Sequence, residues 1–239
     1  MAVLNQIPLK ILIHTTAIEM LLTILTCYTM AVYDGHVQPW LPTISECGVY
    51  PPEKYFFRYG FVIGACLMAV QGVATYYALK SWAKSKTYLF LVSVASFCLG
   101  LVGVVSMKED GAVHNTTAVI FFLCSDVNMA LTTWHFWDSL TTSSRIVKTV
   151  FALIGSTVFI VFHFQDAFLP LLGVSASIYL AIFEWSNVLT IIFYYWSFSM
   201  DMYTLFLALT DAEISRPPLQ HKNATAPSPL PCLSQHVTC

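Results

Sequence analysis

The chain has 239 residues, 57% of them hydrophobic and only 10% charged, with a net charge of −2 and a mean hydropathy of +0.68. Soluble domains carry about a quarter charged residues, so a water-soluble globule is excluded. There is no basic field and no zinc-finger or RNA-binding signature, so no nucleic-acid partner is expected.

What remains is an all-α integral membrane protein. A spanning helix needs about 20 mostly apolar residues, and such stretches fall at about 9–32, 56–79, 87–106, 116–138, 147–165 and 173–199. None alternates polar and apolar as a barrel strand would. The prediction is a six-transmembrane-helix bundle over residues 1–211, followed by a disordered tail at 212–239 with Pro217, Pro218, Pro227, Pro229 and Pro231. The first span exceeds a signal-peptide core and lacks a cleavage site, so it is expected to stay as an anchor.

Cytoplasmic loops retain Lys and Arg. With the N-terminus inside, Lys10, Lys80, Lys84, Lys86, Arg145, Lys148, Arg216 and Lys222 are cytoplasmic, and only Lys54, Arg58 and Lys108 are outside. Both termini are therefore expected in the cytoplasm. Seven scattered cysteines without a C-x-x-C pair predict neither a disulfide framework nor a zinc site.

The longest connection, residues 33–55, is stiffened by Pro39, Pro42, Pro51 and Pro52, which also restrict the residues before them. Trp40, Leu41, Ile44, Tyr50 and Tyr55 add apolar surface, so the loop is expected to fold across the bundle mouth. It reads either as a structural cap or as a lid over a lipid headgroup.

Three carboxylates, Glu19, Asp126 and Glu184, fall near the middle of their spans with no Lys or Arg at matching depth. A charge there costs at least about 2.5–3.5 kcal/mol, so each must be protonated, hydrogen-bonded or turned to a polar cavity. Helical spacing puts Glu184 and Asn187 on one face, and Gln71 and Asn128 are placed to join a polar interior cluster. Polar side chains also simply hold transmembrane helices together, at about 0.6 kcal/mol each. The histidines show no H-x-x-x-H spacing, so no metal is expected. Trp134, Trp137, Trp185 and Trp196 read as packing and interface anchors. No G-x-S-x-G, H-E-x-x-H or phosphate-binding glycine loop occurs, so an enzymatic role is unproven by motif and no cofactor is expected.

The loop sequence Pro39-Trp40-Leu41-Pro42-Thr43-Ile44-Ser45, followed by Pro51-Pro52-Glu53 and an aromatic-rich helix start, resembles the signature of the DRAM/FRAG/Sfk family of six-span proteins. Glu109-Asp110 and His114-Asn115 at the fourth helix, and Glu184 followed by an aromatic and Val188-Leu189-Thr190, resemble the branch of post-GPI attachment to proteins factor 2. Asn128 departs from that branch, where a histidine is expected. The resemblance implies a membrane component of GPI-anchor lipid remodelling in Golgi or endoplasmic-reticulum membranes. It implies membrane lipids, including the anchor lipid, and proteins of the same process as partners. If there is catalysis, Glu53 or a cluster carboxylate is the expected general base. The alternatives are a transporter or proton pathway through the intramembrane acids, or a lipid-organising scaffold.

Overall fold

The computed structural model describes residues 9–78, 85–164 and 175–201. Six helices run through them: α1 (Leu9–Tyr33), α2 (Glu53–Ala78), α3 (Ser85–Val104), α4 (Gly111–His135), α5 (Thr142–His163) and α6 (Ala176–Trp196). Short 3-10 turns lie at Glu46–Gly48, Trp137–Ser139 and Ser197–Met200, and no strand occurs among the described residues. Each of the six helices is long and apolar enough to cross a bilayer, as the composition predicts. Lys80, Lys84, Asp166 and the Pro-rich tail lie outside the described residues.

Helix starts differ from the apolar windows wherever a cap recruits polar residues. α4 begins at Gly111 because Asp110 is extended and its Oδ1 accepts from the backbone N–H of Ala112 and Val113, at 3.1 and 3.0 Å. α5 begins at Thr142 because the Thr141 hydroxyl accepts from the Ser144 N–H at 3.3 Å. The Asp110 cap brings His114 inside α4, ahead of the apolar stretch that starts at about 116.

Chain neighbours pack side by side and α1 closes against α6, giving a ring of antiparallel helices. α2 lies close on α1: Gly60 and Gly64 face Thr23 and Met20, and a Cβ at either glycine would overlap those side chains. This is the small-xxx-small packing of membrane helices. Ile13, Met20, Phe57, Phe61, Val92 and Phe121 fill the interior, while Ile11, Leu22, Phe90, Phe97 and Leu153 point outwards.

Residues 34–52 and 105–110 lie on one face of the ring, the mouth face. At the opposite face Lys148 is fully buried, and its Nζ donates to Ser144 Oγ (2.9 Å), Ser197 Oγ (2.9 Å) and Asp201 Oδ2 (2.7 Å). All three ammonium donors are used, tying α5 to the turn that follows α6.

Candidate functional site

The loop at the mouth face is fixed from within and from both sides. Thr43 and Glu46 form a reciprocal capping box: Glu46 Oε2 accepts from the Thr43 N–H at 2.9 Å, and Thr43 Oγ1 accepts from the Glu46 N–H at 3.1 Å. Pro51–Pro52 is a cis bond, and Leu41 has a φ of +46°. That left-handed backbone costs a non-glycine residue on the order of 1–3 kcal/mol, so the neighbouring helices must hold it. Tyr28 Oη on α1 donates to the Pro39 carbonyl (2.7 Å), and Trp185 Nε1 on α6 donates to the Pro42 carbonyl (2.8 Å). The Ser45 N–H donates to Glu184 Oε2 at 3.1 Å. Glu184 lies eight residues into α6, about 12 Å along the helix, so the loop dips into the mouth to meet it. Trp40 stays 79% exposed at the rim.

The second connection is tied to α2 and to the loop. Glu109 accepts from Arg58 (2.5 Å), from Lys54 (2.8 Å) and from the Ser106 N–H (3.1 Å). Hydrogen bonds from Arg58 first, then Lys54 and Ser106, hold its carboxyl well below the usual carboxylate range. His114, almost fully buried, sets Nδ1 2.7 Å from the Val105 carbonyl and Nε2 3.0 Å from Ser45 Oγ. Val105 follows the end of α3, where the last carbonyls lack helical partners.

Below the loop, a narrow, partly open chamber runs among the helices; together with the open space beside it, it amounts to about 790 Å³. Apolar side chains dominate its wall, among them Met20, Phe61, Met68, Leu99, Phe122, Val188 and Ile192. Ser45 and Glu184 line one end, and Gln71, Tyr195 and Trp196 line the other. From Glu184 to Trp196 the helix advances about 18 Å, slightly more than half of a hydrocarbon core of about 30 Å. A second, more polar basin, about 1390 Å³ with the open space above it, lies between the loop and the start of α6, lined by His36, Gln38, Trp40, Glu46, Ser175 and Ser177.

The other carboxylates occupy separate surroundings. Glu19 Oε1 accepts from Thr23 Oγ1 at 3.0 Å on α1, close to Gly64 of α2. Asp126 lies against Gly155 of α5, with its buried carboxyl beside the buried amide of Asn187. Gln71 Nε2 donates to the Tyr195 carbonyl at 3.4 Å, and Asn128 Nδ2 donates to Tyr195 Oη at 2.8 Å. Gln71 and Asn128 therefore converge on Tyr195, whereas Glu184 belongs to the mouth.

Glu53 does not line the chamber. Its side chain is fully buried, Oε1 lies 2.6 Å from His36 Nδ1, and Oε2 has no partner. Asp34, His36 and Glu53 bring ligand atoms within 4.8 Å of one another, a convergence of metal-binding side-chain types that the histidine spacing does not announce. Cys47 is buried and donates to the Thr43 carbonyl at 3.3 Å. Burial, followed by the neighbouring Cys27, Glu46, Glu184 and Glu53, pushes its thiol up to about 12.

A closed ring of six membrane-length helices, with an apolar interior chamber and a polar loop set into its mouth, defines an all-helical multi-pass membrane protein. The family model of the Frag1/DRAM/Sfk1/Cwh43P N-terminal domain matches residues 8–205, and the chain belongs to that family. It is 28% identical to post-GPI attachment to proteins factor 2 of Caenorhabditis briggsae over 197 residues, 74% of this chain and 75% of the relative. It is 34% identical to DNA damage-regulated autophagy modulator protein 1 of Mus musculus over 134 residues, 48% of this chain and 55% of the relative. The match thus covers little more than half the length of that modulator. Transmembrane protein 150A of Xenopus laevis is 26% identical over 178 residues, 67% of this chain and 61% of the relative. No solved structure matches the chain.

Proposed function

We propose that this protein is a membrane component of GPI-anchor lipid remodelling, acting in the maturation of GPI-anchored proteins in Golgi or endoplasmic-reticulum membranes. In this reading both termini are cytoplasmic and the mouth faces the lumen, the orientation favoured by Lys and Arg counts. The observation that carries the reading is the chamber: an apolar slot about one leaflet deep, with polar groups only at its ends. It suits a fatty acyl chain whose ester lies at the level of Ser45 and Glu184, with the polar headgroup emerging beside the basin at His36 and Trp40. The match to a relative named for post-GPI attachment, over three-quarters of its length, supports the same lipid class. The partners in this reading are the anchor lipid and other proteins of the remodelling process.

The test is mass spectrometry of acyl chains on GPI-anchored proteins from cells lacking the gene, rescued with wild type or with Val188→Trp, which fills the chamber. Lyso- or unremodelled anchors should accumulate, and wild type should correct them. Val188→Trp, reaching the same membranes, should not. Unchanged anchors in cells that also lack the related genes would refute the role.

A further inference from the structure

The chamber wall carries one hydroxyl with an imidazole behind it. Among the described lining residues, the Thr16 hydroxyl is spent on the Leu12 carbonyl of its own helix (2.9 Å), and Tyr195 Oη accepts from Asn128. Ser45 Oγ lies 3.0 Å from His114 Nε2, with the Glu184 carboxyl on its other side. The tautomer of His114 follows from its other nitrogen. A carbonyl oxygen only accepts, so Nδ1, 2.7 Å from the Val105 carbonyl, carries the proton. In the neutral ring Nε2 then presents a lone pair to the serine hydroxyl. Ser45 sits between the chamber and His114, with the imidazole almost wholly shielded. A nucleophile, a base oriented by a third group and an apolar slot thus meet at one point.

We infer that Ser45 and His114 form an acyl-transfer centre, in which Ser45 takes a fatty acyl group from a glycerolipid ester and passes it to the free hydroxyl of a lyso-lipid. The inference rests on the reading above that the chamber holds a lipid acyl chain. In the first half-reaction Ser45 Oγ bonds to the ester carbonyl carbon while its proton passes to His114 Nε2. The bond from that carbon to the alkoxy oxygen breaks, and Nε2–H protonates the departing oxygen, leaving acyl-Ser45 and a lyso-lipid. In the second, the acceptor hydroxyl attacks the acyl-Ser45 carbonyl and gives its proton to Nε2. The Ser45 oxygen leaves and recovers that proton. One ester is consumed and one formed, with no oxidant, reductant or net proton. Trp185 is a positioning residue, because it holds the loop backbone at Pro42, whereas the Glu184 carboxyl meets both the backbone N–H and the hydroxyl of Ser45 and so lies against the reacting oxygen.

The purified full-length protein in detergent micelles, treated with a long-chain alkyl fluorophosphonate, tests the centre through peptide mass spectrometry. A covalent adduct on Ser45 is expected. It should be absent in Ser45→Ala and form about 100-fold or more slowly in His114→Gln, with all three proteins melting alike. A methyl fluorophosphonate should label wild type more slowly than the long-chain reagent, a comparison that needs no variant to fold. No adduct on folded wild type, equal rates for the two reagents, or full-rate labelling of a folded His114→Gln protein would overturn the inference. Anchor analysis separates it from the remodelling role. If Ser45→Ala restores normal anchors and Val188→Trp does not, the acyl-transfer centre falls and the role stands. If Ser45 is labelled but anchors are normal in the deleted cells, the centre stands with another lipid ester as substrate.

Discussion

Replacing Glu184 with Leu should release the mouth loop while leaving α6 apolar and similarly filled. In the wild type the carboxylate accepts the Ser45 N–H at 3.1 Å, 139 residues away in sequence, with Ser45 buried and Glu184 half-buried in the mouth. Leucine leaves that N–H buried without a partner, which costs about 1–3 kcal/mol. At about 1.4 kcal/mol per decade, local opening of the loop becomes roughly 5- to 150-fold more frequent. Amide hydrogen exchange of the peptide spanning residues 43–48, in the full-length protein in micelles, reads this opening directly because the Ser45 amide is the donor. Glu184→Gln keeps a carbonyl oxygen at the same position and should stay within a few-fold of wild type. Unchanged exchange in Glu184→Leu would refute the clamp. Equal acceleration in Gln and Leu would show that the charge, rather than the acceptor, holds the loop. The Trp185 bond to Pro42 and the Tyr28 bond to Pro39 remain in both variants, so the effect should be local to the 43–48 segment.

At the opposite face, Lys148→Met strands Asp201 and breaks a buried ion pair, for which about 3–5 kcal/mol is expected. At about 2–4 °C per kcal/mol for a chain of this size, tryptophan-fluorescence melting should fall by about 6–20 °C, and Lys148→Met/Asp201→Leu should regain most of it. A double variant no better than the single would refute the pairing. Glu109 sets a pH dependence. Its folded carboxyl is held below its unfolded value, so the tie between the second connection and α2 is present above the ordinary glutamate value of about 4.3 and is lost as pH falls through the folded one. Ser106 amide exchange, corrected for its intrinsic pH dependence, should therefore keep its protection from pH 8 to about 5 and lose it only well below about 4. Added salt should weaken the tie because the carboxylate is exposed. Loss of protection between about pH 7 and 5 would contradict the assignment.

The six helices were legible because bilayer length and apolar composition are properties of contiguous residues, and the rigidity of the first loop was legible because each proline acts on its own backbone. Helix starts were less so, since Asp110 and Thr141 extend α4 and α5 through polar residues that a hydropathy window counts as loop. The interior polar residues show the deeper reason. Periodicity correctly describes faces of one helix, but it does not say which face meets which loop. Glu184 counted as a mid-membrane acid needing an offset, and its partner is the backbone of a loop that dips about 12 Å along α6 to reach it. Gln71 and Asn128 do meet, at Tyr195, and Asp126 lies beside Asn187 and against a glycine of α5, whereas Glu19 bonds within its own helix. Ser45 and His114 were each conspicuous in a loop motif, yet 69 residues separate them. Their pairing depends on three local devices acting together: the capping box that turns Ser45 inwards, the Asp110 cap that starts α4 early enough to include His114, and the exposed end of α3 that supplies the Val105 carbonyl. Each device is readable by itself in hindsight, as T-x-x-E, as an aspartate before glycine, and as the polar break after an apolar span. What joins them is the antiparallel ring, which places the end of α3, the start of α4 and the first loop at one mouth. A reading that first fixes the caps and then asks which capped ends share a face would find the pair before any coordinates.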